Sequence, residues 1–133
     1  MATDYVIDCS ALAEVLVGTD EAARDLQHRI RGMRLHAPYL LDAEIGHVLR
    51  RHVRTRVVDP AAAHGFLRGV AHMLTERYPH DPLLDSAWQL RENVSFYDAL
   101  YVALAARLEL PLLTSDSKLA GGDLPCRVEL VTP

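Results

Sequence analysis

The stretch Asp4–Val17, DYVIDCSALAEVLV, decides the architecture. Its first half, "DYVID", is a short run of β-favouring residues, and "CSALAEVLV" directly after it has the length and residue types of a helix. The chain therefore opens strand then helix, with Asp8 at the junction. A similar pattern returns near the other end. There "PLLTSD" (Pro111–Asp116) reads as a buried strand closed by an acid, "SKLAGGD" as a turn-rich link, and "CRVELV" (Cys126–Val131) as a last strand.

Between these ends the pattern is mainly helical. Thr19 is expected to cap a second helix, Asp20–Arg31, that Gly32 ends, and "RLHAP" reads as a brief strand closing at Pro38. An amphipathic helix follows over about Tyr39–Thr55, with Leu41, Ile45, Val48 and Leu49 on one face. Asp59-Pro60 and Asp81-Pro82 each place a capping residue before a proline suited to the first helical position, so helices are expected to start at both. "LTERY" fits a helix end and a strand equally. The segment "SFYDALYVALAARLEL" (Ser95–Leu110) is apolar nearly all round from Ala99 to Ala106, the mark of a buried helix. Short strands separated by helices point to a three-layer α/β/α sandwich around a mainly parallel sheet, in which ligands bind beyond the carboxyl ends of the strands.

The 133 residues fit one domain, 1–133, without internal repeat or linker. With 50% hydrophobic and 24% charged residues, disorder and fibrous folds are excluded. A net charge of −4 is unusual for a protein that grips nucleic acid through phosphates alone, but does not exclude an enzyme whose acids bind metal. Arg50, Arg51, Arg54 and Arg56 cluster in "RRHVRTR", for which a solvated helix face is the plainer reading. The N-terminus has no basic leader, and Asp4, Asp8 and Glu14 interrupt its apolar run. That argues against a signal peptide or membrane span and for a cytoplasmic protein. Cys9 and Cys126 read as reduced core thiols. His28, His36, His52, His64, His72 and His80 show no zinc spacing and are placed on surfaces or helix ends.

Four acids stand out. Asp8 and Asp116 each close an apolar strand, where both can face one crevice, although Asp8 can equally cap the helix after it and Asp116 can be a turn residue. Asp98 leads the buried helix. Ser95-x-x-Asp98 resembles a capping box, yet a carboxylate beside so apolar a helix gains most from a bound cation. Glu44 lies among Leu41, Ile45 and Val48, at the border of a buried face. Oxygen donors from four separate segments match the ligand chemistry of Mg²⁺ or Mn²⁺.

"YVIDCSAL", the helical Glu44 after Pro38, "FYDALYVALA" and "LLTSD" resemble the successive motifs of the PIN-domain ribonucleases, closest to the VapC-type toxins of toxin-antitoxin modules. The resemblance spans Tyr5 to about Val131. It implies a five-stranded parallel sheet, metal-binding acids at Asp8, Glu44, Asp98 and Asp116, and supporting hydroxyls at Ser10 and Thr114. Homodimerisation, an RNA substrate and neutralisation by a cognate small antitoxin protein are implied with it. Ser117 and Lys118 stand where some PIN domains add another acid, which counts against a second metal ion.

The chemistry that fits is metal-assisted hydrolysis, in which a divalent cation activates water and stabilises charge on the phosphate. Arg51, seven residues beyond Glu44 and about 10 Å along the same helix face, is placed to meet a neighbouring phosphate. A phosphoacceptor module is the rival reading, with Thr114 and Lys118 near Asp116, but it lacks the acidic pair after its first strand. Glu44-x-x-His47 hints at a di-iron bundle and occurs only once. Ser10 lacks a glycine-flanked elbow. Leu12, Val15, Leu16, Leu26 and Ile30 exceed what two peripheral helices need, so some are expected to stay exposed in a groove for an amphipathic partner helix.

Overall fold

The structure is a computed structural model that describes residues 3–131. Five strands, β1 (Thr3–Ile7), β2 (Met33–Pro38), β3 (Glu76–Tyr78), β4 (Leu112–Thr114) and β5 (Val128–Leu130), form one sheet in the order β3-β2-β1-β4-β5. Every pairing is parallel. The chain works outward from β1 through β2 to β3, then crosses back to the far side of β1 for β4 and β5. The strand order thus reverses between β1 and β4, the place where an open parallel sheet leaves a crevice at its carboxyl edge.

Helices α1 (Cys9–Val17), α2 (Glu21–Arg29), α3 (Leu40–Arg54), α4 (Pro60–Met73), α5 (Leu84–Gln89), α6 (Phe96–Leu108) and α7 (Ser117–Ala120) fill the connections and cover both faces of the sheet. Alternation along β1 shows the two layers: Tyr5 meets Arg29 of α2, whereas Asp4, one residue back, shares a cleft with Ala105 and Ala106 of α6. This is the expected α/β/α sandwich. The core includes Val6 and Ile7 of β1, Leu35 of β2, Leu41 and Ile45 of α3 and Leu112 and Leu113 of β4. All seven residues from Ala99 to Ala105 of α6 are buried, which is why that helix carries no polar face. Each fully buried large side chain contributes about 1.5–3 kcal/mol of transfer free energy.

Several local expectations meet corrections. Asp20, not Thr19, caps α2, accepting the Ala23 N–H at 2.8 Å; Thr19 is exposed, and the helix ends in a 3₁₀ turn over Ile30–Gly32. Asp59 caps α4 as expected, with Pro60 behind it. Asp81 does not cap: it lies inside a 3₁₀ turn, Asp81–Leu83, that drops Leu83 into the core before the six-residue α5. "LTERY" resolves as β3, and "SKLAGGD" holds the short α7. His36 is buried between Asp4 Oδ2 at 2.9 Å and Tyr78 Oη at 2.8 Å, while His80 does serve a helix end, its Nε2 accepting the Leu40 N–H at 3.0 Å. Leu12, Val15 and Leu26 are buried and Leu16 and Ile30 pack half-buried against the core. None of the five is exposed, because α1 and α2 press on each other as well as on the body of the fold.

The cap correction is directly measurable. Asp20→Ala should lower stability in urea denaturation by about 1 kcal/mol, and Thr19→Ala by less than about 0.5 kcal/mol. Equal losses would return the cap to Thr19.

Candidate active site

Asp8 follows the last residue of β1, and its backbone N–H donates to Leu113 O of β4 at 3.1 Å, so the ladder itself carries it into the crevice. Only 4% exposed, its carboxylate has to be fully bonded. Oδ1 accepts the Ala11 N–H at 3.0 Å, capping α1, and the Ser10 hydroxyl at 2.7 Å; Oδ2 accepts the Thr114 hydroxyl. Those hydroxyls also receive bonds from the chain leaving β4. Ser115 N–H donates to Ser10 Oγ at 3.0 Å, and Asp116 N–H donates to Thr114 Oγ1 at 3.0 Å. Ser10 and Thr114 thus tie the loop after β1 to the loop after β4, and the expected supporting hydroxyls both reach Asp8.

Asp116 caps α7 through Oδ1, which accepts the Lys118 N–H at 2.9 Å. Asp98 lies in the first turn of α6, its N–H bound to Ser95 Oγ at 3.1 Å. Glu44, half-buried on α3, accepts the Tyr101 hydroxyl on Oε1 at 2.6 Å. Sequence reasoning missed Tyr101. Inside an apolar run it reads as core, and it is 1% exposed, but its hydroxyl turns α6 into a support for Glu44.

Burial pushes the carboxyls of Asp8, Glu44 and Asp98 above their ordinary values, against the opposing hydrogen bonds each receives. Other acids add to the rise: Asp98 acts on Asp8, Asp98 and Asp8 on Glu44, and Asp116 on Asp98. The Cys9 thiol, at the start of α1, is pushed up to about 12, first by burial and then by Glu44 and Asp8, with Arg51 acting the other way. Exposed Arg51 on α3 therefore lies within electrostatic range of this edge. Among the described residues none of the four acids is paired with an arginine or lysine. Nor, among those residues, do three acids draw close enough together to grip one ion: they share a field rather than a contact. The donor set is all oxygen and its excess negative charge is uncompensated, which fits a hard divalent cation.

Residues 5–122 match the family model described as the PIN domain. The chain belongs to the PIN-domain family. It is 45% identical over 130 residues to Ribonuclease VapC1 of Mycobacterium tuberculosis, a match covering 96% of this chain and 98% of that protein. Among solved structures, PAE2754 from Pyrobaculum aerophilum superposes with a TM-score of 0.67 at 28% identity, covering 90% of this chain and 86% of that one. VapBC-5 from Mycobacterium tuberculosis, described as a member of the VapBC family of toxin-antitoxin systems, shares the fold with a TM-score of 0.62 at 22% identity, over 98% and 99% of the two chains.

In this PIN domain, a carboxyl held above its ordinary value binds its proton more tightly when folded than when unfolded. Its contribution to stability is present below the unfolded value and lost as pH rises through the folded one. For Asp98 that loss begins near the ordinary value of 3.8 and runs upward. In thermal melts with EDTA, Asp98→Asn should gain on the wild type as pH is raised from about 4 to about 7. A difference that stays constant with pH would show that the Asp98 charge is not penalised.

Proposed function

We propose that the chain, acting as one nuclease domain over residues 1–133, is a metal-dependent endoribonuclease and the toxin of a toxin-antitoxin pair. One observation carries the reading. Asp8 and Asp116 follow β1 and β4, with Asp98 and Glu44 in electrostatic reach and without basic partners among the described residues, in a chain that is 45% identical, almost end to end, to a protein named Ribonuclease VapC1.

Asp8, Glu44, Asp98 and Asp116 would hold a single Mg²⁺, with Mn²⁺ able to substitute. Bound there, the ion supplies activation of water and stabilisation of charge on the phosphodiester. The chain's own part is positional. Ser10 and Thr114 fix the Asp8 carboxylate, the Asp116 N–H bond to Thr114 holds the second loop against the first, and Tyr101 holds Glu44. Arg51 supplies a cation at the rim for a flanking phosphate. The Thr114 hydroxyl is engaged with Asp8, which favours this reading over a phosphoacceptor module.

Partner surfaces accompany the site. A cleft of ≈ 560 Å³ whose lining mixes Ile30, Met33 and Met73 with Gln27, Arg31 and His72 is where a segment of an antitoxin, with both apolar and polar side chains, would sit. Leu84 and Trp88, one turn apart on α5 and 44% and 57% exposed, suit a homodimer face. No helix among the described residues is long and apolar enough to cross a membrane.

Purified protein with Mn²⁺ should cleave single-stranded RNA, spare duplex DNA and lose activity in EDTA. Asp8→Asn and Asp98→Asn should each lose at least about a hundredfold in cleavage and weaken Mn²⁺ binding in calorimetry. A folded variant with near-wild-type cleavage would remove that acid from the site. Arg51→Glu should reduce the slope of log affinity for RNA against log salt by about one, and an unchanged slope would leave Arg51 a surface residue.

A further inference from the structure

Helix α6 is buried from Ala99 to Ala105, but its first turn projects from the fold: Phe96 is 39% exposed and Tyr97 62%. Residues four apart lie on the same side of a helix, so Tyr97 shares a face with Tyr101, whose hydroxyl reaches Glu44 at 2.6 Å. Helical side chains lean toward the N-terminus, which carries the Tyr97 ring one turn nearer solvent along that face. Its neighbour in the chain is Asp98. The ring thus lies one turn outward of the Tyr101–Glu44 contact, on the helix that carries Asp98. We propose that Tyr97 is a stacking platform for an unpaired nucleobase next to the phosphodiester, an inference that rests on the ribonuclease reading above.

The chemistry favours a base as the occupant. A single strand approaching four acids in a chain of net charge −4 gains little from phosphate contacts alone, so uncharged attraction has to hold it. A neutral aromatic face does this, because every base has a π-face and stacking tolerates sequence. Trp88, the other strongly exposed ring on this part of the chain, already has the Arg91 guanidinium over it, 5.0 Å from its centroid. Tyr97 has no such cover among the described residues.

The test reads binding before cleavage, by stopped-flow anisotropy in Mg²⁺. The probes are a fluorescein-labelled 12-nucleotide single-stranded RNA and a series of it in which each nucleotide in turn is abasic. Wild type should lose about tenfold in affinity at one abasic position. Tyr97→Ala should bind the intact probe about tenfold more weakly and become indifferent to that position, while Tyr97→Phe keeps the wild-type profile. An unchanged affinity or unchanged abasic profile in Tyr97→Ala would overturn the proposal. So would a Tyr97→Ala variant whose altered behaviour is a shift from dimer to monomer in size-exclusion chromatography, which would make the ring a protein contact. If wild type shows the abasic profile but cuts no RNA, the ribonuclease reading falls and the platform stands; if it binds no single-stranded RNA, both fall.

Discussion

The buried Asp8 carboxylate is the constraint around which the rest is arranged. Removing an ionised carboxyl from water is costly unless every lone pair is met. Here one oxygen takes a backbone N–H and a hydroxyl and the other takes a second hydroxyl, and both hydroxyls in turn accept N–H groups from the loop after β4. Satisfying one charge therefore fixes the geometry of two loops. It also fixes which strand may lie beside β1, because only a strand delivering Thr114 at this register can close the network.

Around that anchor the protein maintains electrostatic tension. Asp98 raises the proton affinity of Asp8, both raise that of Glu44, and Asp116 raises that of Asp98, while the structure answers with hydroxyl donors from Ser10 and Thr114 to Asp8 and from Tyr101 to Glu44, and not with basic side chains. Elsewhere the same chain pairs acids readily, as Arg77 does with Asp42 at 2.6 Å and Arg29 with Glu129. Hydroxyls orient a carboxylate without cancelling its charge. The crevice accordingly keeps a negative field that is unfavourable in isolation, and the cation site proposed above rests on that field.

The layered α/β architecture could be read from the sequence because its signals are local: β-rich runs, a periodic α3 and an all-apolar α6. Asp8 and Asp116 were visible as acids closing strands, and the structure shows that their capping roles and their place at the crevice are compatible, since a helix N-terminus and a strand's carboxyl edge coincide there. What escaped depended on contacts distant in sequence. Tyr101 looks like any core aromatic until α3 is placed opposite it. Buried His36 needs Asp4 and Tyr78, from two other strands, to be tolerable. Choosing between Thr19 and Asp20 was a one-residue question of backbone geometry, which composition does not encode.

The pairing of β1, the central strand, with β4 joins Val6 and Ile7 to a segment more than a hundred residues later. Strands β1, β2 and β3 can associate without it, but Asp8's bonding is completed only by β4 (Leu112–Thr114). Closing so long a loop is also the entropically expensive step of folding, and it comes before any reward from the contacts it makes. The Asp8 network consequently has no partial form: it is complete only when β4 has docked beside β1. On the proposed reading, a chain that has not closed this loop lacks both the Thr114 bond to Asp8 and the loop that carries Asp116, so the site would be assembled together with the sheet and not before it.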